Sequence, residues 1–145
     1  MLLTNEVLAV DFDGTVVTGG FPDITKAEPV EHAVEVLKSL VEAGYKITLW
    51  TCRENHPTDT SKQFLTDAKL WLEERGIKLY SANETPVSDD FREPTGLRRK
   101  AYADWYIDDR NVGGFPGWLA IKEFLLGDRL QDSREVLDIT KEDWR

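Results

Sequence analysis

One cysteine in 145 residues rules out an intrachain disulfide, and Cys52 on its own points to a reducing compartment. No apolar run approaches the roughly 20 residues needed to span a bilayer. The N-terminus lacks a basic stretch followed by a long apolar one, so no signal peptide is expected and the protein reads as cytoplasmic. Basic residues are also in deficit. Against 27 acidic side chains stand 18 Lys and Arg, a net charge of −9, which disfavours general binding to nucleic acid or an anionic membrane. Repeats and low-complexity segments are missing. What remains is 41% hydrophobic with five Trp, enough for one folded domain over 1–145, with the tail 128–145 open as edge strand or docked segment.

The apolar pattern alternates between strand-like and helix-like segments. Glu6–Asp11, Lys46–Thr51, Ile77–Tyr80 and Ala103–Ile107 read as strands. Pro29 is expected to open a helix with Val30, Val34, Leu37, Leu40 and Val41 on its apolar face and Gly44 as its stop. A second helix is expected over about residues 60–74 and a third over Gly117–Leu126. Thr18–Thr25 reads as a loop or small hairpin, and Ser81–Thr95 as a polar loop. Alternation of this kind implies an α/β fold: a three-layer, Rossmann-like domain with a mainly parallel central sheet and helices on both faces. Such sheets bind ligands beyond the carboxyl ends of their strands. Asp11, Thr51 and Asp108 each fall at the expected carboxyl end of a different strand.

The segment Asp11-Phe12-Asp13-Gly14-Thr15 directly follows the apolar run Val7–Val10. Two carboxylates at the tip of a buried strand are costly unless a cation or a proton compensates them. Asp11 is placed to attack phosphorus and form an aspartyl-phosphate, with Asp13 protonating the leaving oxygen and later deprotonating water. The bland alternative is an Asx-type turn with both acids in solvent. Thr51 and the backbone amide of Cys52 suit a small anion nest, and Arg53 can add a fork of donors to a phosphate. Cys52 is not expected to be a nucleophile, because no His stands beside it and His32 and His56 look peripheral. Lys100, eight residues before Asp108, can reach the transferring phosphoryl group; a solvated lysine in the cluster Arg98-Arg99-Lys100 is the competing reading. Asp108 and Asp109, with Asp11 and the backbone carbonyl of Asp13, can complete a magnesium site; the competing reading is an acidic turn.

These residues in this order resemble the haloacid dehalogenase-like (HAD) phosphatase superfamily. Its pattern is Asp-x-Asp-x-Thr, then Thr or Ser after the second strand, then Lys, then an acidic pair. Asp11/Asp13/Thr15, Thr51, Lys100 and Asp108/Asp109 match it over the first three-quarters of the chain. The resemblance implies Asp11 as nucleophile, Asp13 as general acid and base, and Thr51 and Lys100 as phosphate binders. It also implies Mg²⁺ held by the acidic pair, Asp108 or Asp109 contacting it directly. The spacing leaves little room for a cap domain, so the chain resembles small capless bacterial and phage-type hydrolases carrying Leu-Trp-Thr-Cys-Arg-Glu, here Leu49–Glu54.

The expected activity is therefore a Mg²⁺-dependent phosphomonoester hydrolase. Its substrate is a phosphorylated small molecule or an exposed macromolecular phosphate, and an open site leaves room for a homo-oligomer partner as lid. Thr51-x-Arg53 is also similar to the phosphatase half of phage polynucleotide kinases, which keeps a polynucleotide 3′-phosphatase open. A phosphotransferase or mutase using the same aspartyl-phosphate is a further alternative. So is a phosphate-binding switch, although receivers order their acids and lysine differently.

Overall fold

Val7–Val10 forms the first strand, β1, and all four of its residues are buried. The structure is a computed structural model that describes residues 4–83 and 103–127. After β1 come a two-residue strand β2 (Val17–Thr18), a 3-10 turn at Ile24–Lys26, and β3 (Glu28–Pro29). Helix α1 (Ala33–Glu42), β4 (Lys46–Leu49), α2 (Phe64–Glu74), β5 (Ser81–Ala82), β6 (Trp105–Ile107) and α3 (Trp118–Leu126) complete the described chain.

The main sheet has the order β5-β4-β1-β6, and every pairing in it is parallel. Leu8, Val10, Ile47, Leu49 and Ile107 join the buried residues of α1, α2 and α3 in one core. Val7, Ala9 and Thr48, which alternate with them along the strands, are buried as well. A sheet buried on both faces needs near-continuous apolar strands, which is what the sequence supplies. This is the small α/β, Rossmann-like architecture that alternation implies. Among the described residues no separate cap is inserted.

The strands read as Glu6–Asp11, Lys46–Thr51 and Ala103–Ile107 are trimmed at their ends, and three other elements start elsewhere than the sequence reading put them. Pro29 does not open α1. It pairs with Val17 in the antiparallel β2–β3 ribbon, and the helix starts at Ala33 after the left-handed His32. Proline has no N–H to donate, so it suits the edge of a two-stranded ribbon as well as a helix start. Helix α2 starts at Phe64, not near residue 60, because the Asp59 side chain accepts from the Ser61 N–H and hydroxyl and holds that stretch as a turn. The third strand lies at Ser81–Ala82, beyond Ile77–Tyr80. Ile77 is buried, so the apolar signal there marks core and not strand.

Candidate active site

Register sets the site. Val10 lies opposite Leu49 on one side and Ile107 on the other, so the three chains leave the sheet side by side. The Asp11 N–H donates to the Ile107 carbonyl (2.9 Å) and the Trp50 N–H to that of Val10 (2.9 Å). Asp11, Thr51 and Asp108 therefore share one rim, at the carboxyl ends of three neighbouring strands.

The turn after β1 is tight. The Phe12 carbonyl accepts from the amides of Thr15, Val16 and Val17, and Gly14 sits at φ 85°. A Cβ on Gly14 would run into the Asp109 carboxylate. Glycine is needed there twice, for the left-handed backbone and for the close approach of the β6 loop. The Thr15 hydroxyl reaches both Asp11 Oδ2 and Asp109 Oδ1 at 3.2 Å, and its carbonyl accepts from the buried Trp118 indole at 2.7 Å. Helix α3 thus anchors the turn through Trp118.

Asp11, Asp108 and Asp109 each offer a carboxylate oxygen, and these oxygens lie within 4.8 Å of one another. Burial pushes Asp11 up from the ordinary 3.8 to about 7, helped by its hydrogen bond with Asp109 and the charge of Asp108. The Phe12 amide and the Thr15 hydroxyl only partly oppose that rise. Asp109 moves the other way. Its own burial opposes the shift, but its hydrogen bonds with Asp11 and Thr15 outweigh that and hold it below the usual range. One proton, carried by Asp11, relieves the crowding; a divalent cation would relieve it more fully. Hard oxygen donors on converging loops fit Mg²⁺, which would take one or two of these carboxylates directly, together with water and phosphate oxygens. Asp108 is also a turn residue, accepting from the Arg110 amide at 2.8 Å, so the acidic-turn reading and the cluster hold together.

The loop after β4 is built by Asn83. Its side chain accepts from the Thr51 N–H (2.8 Å) and donates to the Arg53 carbonyl (3.1 Å), while the Arg53 N–H donates to Thr51 Oγ1 (3.1 Å). Among the described residues nothing accepts from the Cys52 N–H, which leaves that amide available to an anion. Asn83 sits at φ 55°, a backbone that Asn tolerates better than most residues. Its position just past β5 puts it on the rim, but nothing in the sequence tells which backbone groups it would bind.

Arg53, expected to offer a fork of donors to a phosphate, meets an acid of the chain itself. Its Nε donates to Asp13 Oδ2 at 2.7 Å and its Nη2 to Asp13 Oδ1 at 2.8 Å, a bidentate ion pair. Nη2 also donates to the Gly20 carbonyl (2.9 Å) and Nη1 to that of Phe64 (3.3 Å). The guanidinium lies 4.9 Å from the Phe12 ring centre and 5.3 Å from that of Phe21, and the residue is only 3% exposed. A planar cation pairs well with a carboxylate edge-on and an aromatic ring face, and here both are at hand. Asp13 consequently points away from the three-acid cluster, leaving its backbone carbonyl as the atom expected to reach a metal. Lys100 lies outside the described residues.

A cleft of about 450 Å³ opens beside this pair, between the Asp13–Gly14 turn, Gly19–Phe21 and Cys52. An apolar groove of about 270 Å³ beside β6 and α3 touches the rim only at Asp108 and Asn111. The first cleft holds Asp13, Cys52 and Arg53. Among the described residues no helix is long and apolar enough to cross a membrane.

Among solved structures, a conserved protein from Bacteroides thetaiotaomicron is 38% identical to this chain, and the match covers 84% of this chain and 90% of that one with a TM-score of 0.68. The chain belongs to that protein's family. The relationship fixes the fold and assigns no chemistry. No family model and no curated protein matches the chain.

Proposed function

We propose that this protein is a Mg²⁺-dependent phosphomonoester hydrolase of the HAD-like type, working in the cytoplasm through an aspartyl-phosphate on Asp11. The observation that carries the reading is the convergence of Asp11, Asp108 and Asp109 on the strand-end rim that also holds the open Cys52 amide and Asp13. Bound Mg²⁺ would supply positive charge to offset the nucleophile and the phosphate. Asp11, Asp108, Asp109 and the Asp13 carbonyl are the groups that would hold it.

In the first step an Asp11 oxygen bonds to phosphorus as the ester P–O bond breaks, and Asp13 gives its proton to the departing oxygen. Water then attacks phosphorus, Asp13 recovers a proton from it, and the Asp11–phosphorus bond breaks. Thr51 and the Cys52 amide hold the phosphoryl oxygens. Lys100 keeps the phosphate-binding role that the resemblance gives it.

The test is Mg²⁺-dependent phosphate release from a panel of aryl phosphates, sugar phosphates, nucleotides and a 3′-phosphorylated oligonucleotide. Release by the wild type and none by Asp11→Asn is the expected result. Equal release by both proteins, or none by either with Mg²⁺ bound, would overturn the reading.

A further inference from the structure

Resting on the phosphomonoesterase reading, we propose that Arg53 is a positioning residue that fixes the Asp13 carboxyl for proton transfer to the leaving group, and that it does not bind the substrate phosphate. A guanidinium has five N–H donors. In Arg53 four are engaged: two by the Asp13 carboxylate, one by the Gly20 carbonyl and one by the Phe64 carbonyl. Only one N–H is left, on Nη1, and a fork needs two. The guanidinium also lies against the ring faces of Phe12 and Phe21. Moving the group toward a phosphate would break three sets of contacts at once.

The same contacts explain what the residue achieves. Asp13 lies within the tight Phe12–Gly14 turn at the strand tip and is partly exposed, so without a partner its side chain would sample several rotamers. The bidentate pair selects one. Each Asp13 oxygen still keeps a lone pair for a proton exchanged with the substrate. Arg53 is itself held by three separate segments, the turn after β1, the Gly20–Phe21 loop and the first residue of α2. The orientation of Asp13 is therefore set by the tertiary fold and not by its own loop. Positioning of this kind matters most where the departing oxygen needs a proton, as with an alkoxide, and least where a stabilised phenolate leaves unaided.

That difference supplies a readout which neither a phosphate-binding role nor a purely structural one would give. The experiment compares kcat/KM for glycerol 2-phosphate and para-nitrophenyl phosphate in wild type, Arg53→Lys, Arg53→Met and Phe21→Leu, with Asp11→Asn as control. Arg53→Lys is expected to lose on the order of 10²-fold on the alkyl ester and only a few-fold on the aryl ester, with KM nearly constant for both. Phe21→Leu, which keeps Arg53 but removes one ring face, is expected to show a smaller loss with the same bias. Combining Arg53→Lys with Asp13→Asn should be no worse on the alkyl ester than Asp13→Asn alone. Equal losses on the two esters with a raised KM would make Arg53 a phosphate binder and overturn the proposal. Equal losses with unchanged KM would reduce it to a structural residue and overturn it too. If Arg53→Met does not fold, Arg53→Lys and Phe21→Leu decide. Failure of the phosphatase reading itself has a different signature: wild type and Asp11→Asn would not differ on either ester.

Discussion

Asp11 and Asp13 are two residues apart in one five-residue motif, yet they stand in opposite surroundings. Asp11 turns toward Asp108 and Asp109, and among the described residues these acids drive its carboxyl, together with burial, up to about 7. Asp13 turns toward a buried arginine that meets both of its oxygens. The first corner gathers acids that a bound cation would offset. The second is already neutralised by the chain itself. In an extended backbone, neighbours two apart would share a side; the tight turn at Phe12–Gly14 separates them. The lesson is that a carboxylate pair need not be a metal pair. One partner can be tuned for a cation while the other is held for proton work.

The contrast can be broken most strongly at Asp11. Asp11→Asn should lower Mg²⁺-dependent phosphate release by roughly 10⁴-fold or more in a steady-state assay, because an amide is no substitute nucleophile. The next largest effect is expected at the turn that parts the two acids. Gly14→Ala combines a left-handed backbone with a clash against the Asp109 carboxylate and should cost about 3 kcal/mol in chemical denaturation. Asp13→Ala should cost about 2 kcal/mol in the same measurement, because it strands the buried Arg53 guanidinium.

The smallest effect has the opposite sign and sharpens the comparison most. Asp11 has a folded-state pKa of about 7, above its ordinary 3.8. Its contribution to stability is thus fully present below about 3.8 and is lost as pH rises through about 7. In chelator, the melting temperature of the wild type should fall by a few degrees relative to that of Asp11→Asn between pH 5 and pH 8. Mg²⁺ should flatten the difference. A metal-free melting temperature with no Asp11-dependent slope would mean that the acids do not crowd one another in solution.

Much of this was legible in the residues. The near-continuous apolar run at Val7–Val10 and the run ending at Leu49 form β1 and β4, and the three rim positions Asp11, Thr51 and Asp108 follow from where those strands end. Helix α1 was legible as an element but not in its start, because Pro29 is equally at home in a ribbon edge. The partner of the Arg53 fork seen in the structure was not legible for a related reason. Spacing places it two residues past Thr51, on the rim, but which anion it meets depends on Asp13, 40 residues away, and on the two rings it lies against. Asn83 posed the same difficulty, since its partners at Thr51 and Arg53 lie about 30 residues back along the chain.

The sequence by itself determined the parallel α/β layering and the strand tips that carry the acids, because burial periodicity and strand length are local properties. Only the tertiary structure decided which acid faces other acids and which faces an arginine. That outcome rests on the register of β1 against β4 and β6 and on a turn that sends successive carboxylates to different sides. Electrostatic partnership is a matter of distance in space, and a pattern along the chain carries that distance only where the backbone is regular.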